Sequence, residues 1–240
     1  MHDDQQNDNG GIMSKGTNDL EGKCLYCGDT VTKATVARHL NNCVVRQSRM
    51  LKTQEKGTAN EGLFHLRIES LDCGYYWLNV EVSGDATLDD FDYYLRKIWL
   101  DCCGHCSSFS IGRRRGQKVS NDGSINDVFQ KVEVLTHVYD YGTPSHTLIK
   151  KIGIRIGNPT TKHPIVLMAR NLMPPEVCLE CKAPAGWLCI ECVHEHGEWG
   201  VLCEKHSKSH AHSNYGTPIP LVNSPRIGMC GYDGPAQPPY

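Results

Sequence analysis

Between Cys178 and His212 the chain carries four metal-ligand pairs in succession: Cys178-x2-Cys181, Cys189-x2-Cys192, Cys203-x2-His206 and His210-x-His212. These are five thiols and three imidazoles within 35 positions. A Cys-x2-Cys knuckle presents two sulfurs on one side of a tight turn and so supplies half of a tetrahedral zinc site. Four pairs complete two sites with nothing left over. The residues between the pairs are too few and too polar to bury a core, so metal has to hold the stretch together. Eight protein ligands leave no coordination position for water, which makes the arrangement structural and not catalytic.

A further set lies near the start: Cys24-x2-Cys27-x11-His39-x3-Cys43. Gly28 closes the knuckle, and the i, i+4 spacing puts His39 and Cys43 on one face of a helix expected from about Thr35 to Met50. The expectation for the whole chain is three structural Zn²⁺ ions on twelve ligands. From Lys23 to Lys52 there are six basic residues and one acidic. Arg38, Arg46 and Arg49 fall on the expected helix and offer phosphate contacts to a nucleic acid; a solvated polar face is the plainer alternative. The finger resembles the C2HC fingers that bind ubiquitin in eukaryotic DNA-repair ligases, through its Cys-x2-Cys-Gly start and His-Leu-x2-Cys end. Asn41 stands where those fingers carry an acidic residue, so the resemblance implies the finger's fold and not its ligand.

The chain holds 13 cysteines. An odd count, paired spacing and interleaved histidines point to metal-bound thiolates in a reducing compartment, with a cytoplasmic location expected. The polar stretch Met1 to Gly22 has no apolar h-region and reads as a disordered leader. No run of ~18 apolar residues occurs, so no membrane span is expected. A net charge of -2 gives no global basic field to attract nucleic acid or anionic lipid.

The middle of the chain reads as a domain of its own. Phe64, Leu66 and Ile68 alternate with polar residues, as do Tyr76, Leu78, Val80 and Val82, which predicts two strands in a hairpin. Thr87 followed by Asp90 is a capping-box pattern. The helix it starts is expected to bury Leu88, Phe91, Leu95, Ile98 and Cys102 and to end at Gly104. Strands are expected around Phe109–Ile111, Val132–Asp140, Leu148–Ile156 and Ile165–Arg170, with a basic turn at Arg113–Lys118 and a short helix from about Ser124. The class is α+β, one long helix on a mixed, mostly antiparallel sheet. The expected division is a leader (1–22), finger (23–50), linker (51–62), α+β domain (63–173), binuclear module (174–215) and a Pro/Gly-rich tail (216–240).

Three segments of that domain carry a resemblance. They are Thr87-Leu88-Asp89-Asp90-Phe91 through Ile98-Trp99-Leu100-Asp101-Cys102-Cys103-Gly104-His105 to Ser108-Phe109, the turn Val138-Tyr139-Asp140-Tyr141-Gly142, and the tail from Val222-Asn223-Ser224-Pro225-Arg226 to Cys230-Gly231-Tyr232. Together they resemble the plasmid pRi Orf-3-like family, also met as insertion-element passenger proteins, with Tyr141 where that family has Phe. The resemblance covers about Leu63 to Gly234. It implies a β-grasp-like α+β domain on bacterial or mobile-element proteins without assigned biochemistry, and no catalytic residues to carry over. The C-terminal module resembles B-box and ZZ-type cross-braced fingers. That implies Cys178, Cys181, Cys203 and His206 on one ion, and Cys189, Cys192, His210 and His212 on the other.

From Glu176 to His212 there are six acidic and three basic residues, a surface suited to a protein partner more than to phosphate. The reading is a non-enzymatic zinc-binding adaptor. The alternative is an enzyme on the central domain, using Cys102, Cys103, His105 and Cys106, or Asp140. Against it, Cys102 continues a buried helix face, Cys103 points some 100° away from it, and Asp140 reads as a turn aspartate bonded to its own backbone. His194 and His196 could replace His210 or His212, and Cys230 is a spare thiol that the tail could bring to the module.

Overall fold

The computed structural model describes residues 20–55, 61–113, 116–212 and 214–240. Most of the expected leader, part of the linker, and Arg114 and Arg115 of the basic turn lie outside the described residues. Two units result: residues 174–221, and a larger one of residues 20–173 with 222–240.

The larger unit runs β1 (Glu21–Cys24), β2 (Thr30–Thr32), α1 (Val36–Asn42), α2 (Val44–Gln54), β3 (Glu61–Ser70), β4 (Trp77–Ser83), α3 (Leu88–Leu95), β5 (Ser107–Ile111), β6 (Lys118–Val119), α4 (Ile125–Phe129), β7 (Val134–Tyr139), β8 (Ser145–Gly157) and β9 (Ile165–Asn171). These strands form one sheet in the order β2-β1-β9-β4-β3-β8-β7-β5-β6. The α+β class holds. Every pairing is antiparallel where a mixed sheet was expected. The reason is topological: the connection through α3 lands on β5, several strands away, and does not return beside β4 as a parallel crossover would.

One face of the sheet is apolar. Phe64, Leu66, Ile68, Leu78, Val80 and Val82 alternate inward and pack with Leu88, Phe91, Leu95, Ile98 and Trp99 in one buried cluster. The capping box starts α3 as expected: the Thr87 hydroxyl accepts the Asp90 N–H at 3.1 Å, and Asp90 Oδ2 accepts the Thr87 N–H at 2.9 Å. After Leu95 the helix widens into a π turn, Arg96–Leu100, and ends there, four residues before Gly104. The extra residue per turn lets Ile98, Trp99 and Leu100 all be buried. It also leaves Cys102 and Cys103 beyond the helix, so a helical angle does not govern where they point. At the far end of β8, Ile152, Ile154 and Ile156 are exposed.

The other face of the sheet is polar yet equally buried, and the N-terminal finger covers it. His65, Glu69, Asn79 and Glu81 are all buried. Arg46 on α2 reaches Glu81 at 2.8 Å, and Lys33 reaches Glu69 at 3.4 Å. Trp77 packs with Leu20, Val31, Val36 and Leu40. The finger is therefore part of the larger unit and not a module beyond a linker: β1 pairs with β9, Gly22 opposite Asn171 and Cys24 opposite Ala169. Gly22 is required there, since a Cβ would lie 2.3 Å from the Arg170 carbonyl oxygen and 2.4 Å from the Trp77 ring. The expected single helix is two, broken at Cys43, whose ψ of 110° is extended.

The smaller unit holds β10 (Trp187–Leu188), α5 (Ile190–Glu195), β11 (Val201–Leu202), α6 (Glu204–Ser207) and β12 (Ile219–Pro220), with the three strands in the order β11-β10-β12. Its apolar cluster is Cys178, Cys189, Cys192 and Leu202 with Trp187 and Cys203 against it. Four of those six residues are expected metal ligands. The tail is divided: β12 stays here, while residues from Val222 on belong to the larger unit, where Arg170 donates to the carbonyls of Asn223 and Ala236 at 2.7 and 3.0 Å.

Candidate metal centres

The twelve expected ligands fall into three tetrads, and within each the donor atoms lie within 4.8 Å of one another. In the first, β1 delivers Cys24, and a turn through Gly28 at φ +79° swings Cys27 back beside it. The last turn of α1 supplies His39, and the kink between α1 and α2 supplies Cys43. Cys24 Sγ and Cys43 Sγ are 4.0 Å apart, and Cys27 Sγ is 3.4 Å from His39 Nε2.

The module forms the other two tetrads by cross-bracing, first pair with third and second with fourth. Cys178 Sγ lies 3.3 Å from His206 Nδ1, and Cys181 Sγ 3.8 Å from Cys203 Sγ. Cys192 Sγ lies 3.3 Å from His210 Nε2 and 3.2 Å from His212 Nδ1. The two ring nitrogens are themselves 3.2 Å apart. A tetrahedron with Zn–S of about 2.3 Å and Zn–N of about 2.0 Å has edges of about 3.8 Å between sulfurs, 3.5 Å from sulfur to nitrogen and 3.3 Å between nitrogens. The observed separations match those edges, so all three sets fit a tetrahedral ion.

Local backbone explains how the thiols are held ready. Cys43, Cys189 and Cys203 are the N-cap residues of α2, α5 and α6, one in each tetrad. A helix start presents unpaired N–H groups and partial positive charge. At Cys43 burial pushes the thiol up, but N–H donation from Arg46 and the neighbouring thiols outweigh it and leave it below its ordinary value. Gly200 permits close approach in the third set: a Cβ there would meet Cys192 Cβ at 2.3 Å.

Sequence reasoning missed one contributor. Glu180, inside the first knuckle of the module, accepts from His210 Nδ1 at 2.8 Å with one oxygen and faces His206 Nε2 at 3.6 Å with the other. Its place between two ligand cysteines was the available signal. Of the two histidines named as substitutes, His194 is outside the tetrads and His196 lies beside His212. The His194 ring lies tilted against Tyr215 at 5.8 Å, and His196 stacks on His212 with Glu191 close by. Glu191 is already bonded to the Asn214 backbone and side chain at 2.8 and 2.9 Å.

No family model and no curated protein matches the chain. Among solved structures, one similar chain is a protein of unknown function, MM3350 from Methanosarcina mazei Go1. It shares 18% identity over 45% of this chain and 67% of its own, with a TM-score of 0.37.

The basic finger surface needs correction. Arg46 is buried, donating to Glu81 at 2.8 Å and to the Leu40 carbonyl at 3.2 Å. Glu81 also takes two bonds from Arg155, at 2.8 and 2.6 Å. Burial pushes the Glu81 carboxyl up, and Arg155 with Arg46 more than offsets this, holding it below its usual value. Arg46 is thus not available to a phosphate. Arg38 and Arg49 are exposed, Arg49 lying over the Tyr26 ring at 5.4 Å.

In the central cluster Cys102, Cys103 and His105 come together, while Cys106 does not. Cys230, the spare thiol that the tail could have brought to the module, joins them in the larger unit. Asp140 is a turn aspartate as read, with Oδ1 accepting the Gly142 N–H at 2.9 Å. Its second oxygen accepts from Arg226 at 2.6 Å, a partner 86 positions away that local pattern could not reveal.

Proposed function

We propose that this protein is a zinc-dependent, non-enzymatic adaptor of the cytoplasm, in which three structural ions shape surfaces for a protein partner. The observation that carries it is the closure of the three tetrads: four protein donors each, at tetrahedral edge lengths. A closed tetrad has no position for a substrate and contributes folding energy. Zinc is the ion this donor set favours, since thiolate with imidazole in a tetrahedron suits it over magnesium or calcium. The module supplies the partner surface on this reading, because its apolar cluster is mostly ligand and its exposed charges, Glu180, Glu195, Glu198 and Glu204 against Lys182, Lys205 and Lys208, give no basic field for phosphate.

Among the described residues no helix is long and apolar enough to cross a membrane. The described cysteines are all free thiols, in keeping with a reducing compartment. The Orf-3-like resemblance belongs to this proposal. What supports it is that its three segments, far apart in sequence, meet around Asp140, Cys102 and Arg226.

Metal analysis tests the reading. Cys24→Ser, Cys178→Ser and Cys189→Ser should each lower zinc by one per chain in protein purified without added metal. The zinc-loaded wild type should capture a partner from host lysate that Cys178→Ser does not. Fewer than three zinc ions in the wild type would overturn the structural reading, and equal capture by both proteins would remove the module from partner binding.

A further inference from the structure

We propose a fourth metal site in the larger unit, held by Cys102, His105 and Cys230, with one coordination position open to solvent. Their donor atoms all lie within 4.8 Å of one another. This set differs from the three tetrads in having three protein ligands and in being accessible: Cys230 is exposed, and the His105 side chain is 32% exposed. Two sulfurs, one imidazole and a free position make an open zinc site, where the fourth ligand is water or a small anion.

A buried guanidinium prepares the sulfurs. Arg226 is fully buried, with Nε donating to Cys102 Sγ at 3.4 Å and Nη2 to Cys230 Sγ at 3.8 Å. Arg226 thus gives each sulfur a fixed N–H donor, and sulfur with imidazole is the donor set a soft divalent ion prefers. Arg226 is itself fixed by Thr143 O at 3.0 Å, Ser145 Oγ at 2.9 Å and Asp140 Oδ2 at 2.6 Å. The same Asp140 oxygen is 3.4 Å from His105 Nε2, so one carboxylate contacts both the guanidinium and the histidine.

The backbone is bent to make this meeting. Cys230 sits at φ 49° and Asp140 at φ 65°, both in the left-handed region that disfavours a side chain. Such strain persists only where surrounding contacts over-determine it, and it gathers at ligand sites. Gly104 and Gly231, at φ +75° and +70°, turn the chain beside His105 and Cys230. Cys103 Sγ lies 2.9 Å from His105 Nε2 but is not within the converging set, and it is left outside the first coordination sphere.

The test uses the full chain and reads differences in metal content, so it does not depend on how the tetrads are filled. Cys230→Ser and His105→Ala should each hold one zinc fewer than wild type, while Cys103→Ser and Cys106→Ser hold the same amount. In cobalt-substituted wild type, azide should shift the visible bands through the open position, and Cys230→Ser should lose that shift. Near-ultraviolet circular dichroism matching wild type in His105→Ala, whose side chain is partly exposed, separates ligand loss from unfolding. Equal metal in wild type, Cys230→Ser and His105→Ala would overturn the proposal. So would a cobalt spectrum indifferent to azide, or loss of the ion in Cys103→Ser, since either leaves no open three-ligand site.

Discussion

Glu180 Oε1 stands 2.8 Å from His210 Nδ1, while its other oxygen faces His206 Nε2 at 3.6 Å. The two histidines belong to different tetrads. One carboxylate therefore aligns a ring in each, and fixes which nitrogen is turned to the metal. Replacing such an outer partner lowers metal affinity by about 10–100-fold. Glu180→Gln should weaken both module sites together. Competition with a chromophoric chelator reads this as two weakened equivalents, and weakening of one alone would contradict the bridge.

Gly200→Ala should empty the second module site. The added methyl would meet Cys192 Cβ at 2.3 Å and Sγ at 2.9 Å, closer than real Cβ contacts allow. Moving Cys192 by even part of that distance breaks a site whose ligand spacing is set to tenths of an ångström. Zinc content should fall by one per chain, and a variant retaining full metal would show that the α5 region can shift without losing the ion.

Loss of the first tetrad should loosen the sheet and not just the finger. Trp77 is fully buried among finger residues, and Glu81 takes one of its three guanidinium bonds from Arg46. Breaking a buried ion pair from one side costs about 3–5 kcal/mol. Cys24→Ser should red-shift the Trp77 emission, read by difference against Trp77→Phe in the same background. It should also lower the melting temperature of the larger unit. Hydrogen exchange confined to residues 20–55 would instead make the finger an independent element.

Acid should destabilise the larger unit through His65. Burial is the main cause that lowers its pKa to about 4, with the Asn79 side-chain oxygen 2.8 Å from Nε2 opposing it. A histidine with a depressed folded-state value takes up its proton more readily when unfolded. Its contribution is fully present above the ordinary value of ~6.5 and is lost as pH falls towards 4. Between pH 6.5 and 5 the loss is about 2 kcal/mol. Denaturant titration of the zinc-loaded protein should show that slope, and His65→Gln should flatten it.

The parts of this protein that could be read from residues alone are those set by short spacing. Each knuckle, the Thr87 cap and the alternation in β3 and β4 depend on atoms a few positions apart, where backbone geometry leaves little choice. The cross-braced pairing was an implication of resemblance that the module's donor distances agree with. What depended on chain closure was hidden. Arg46 looked like a solvated helix cation because its partners, Glu81 and the far end of the sheet, lie beyond any local window. Cys102 does pack against the core as read, but the tail turn that brings Cys230 beside it is a product of packing. Side chains with several possible fates are decided by which distant surface arrives beside them, and only the folded sheet determines that.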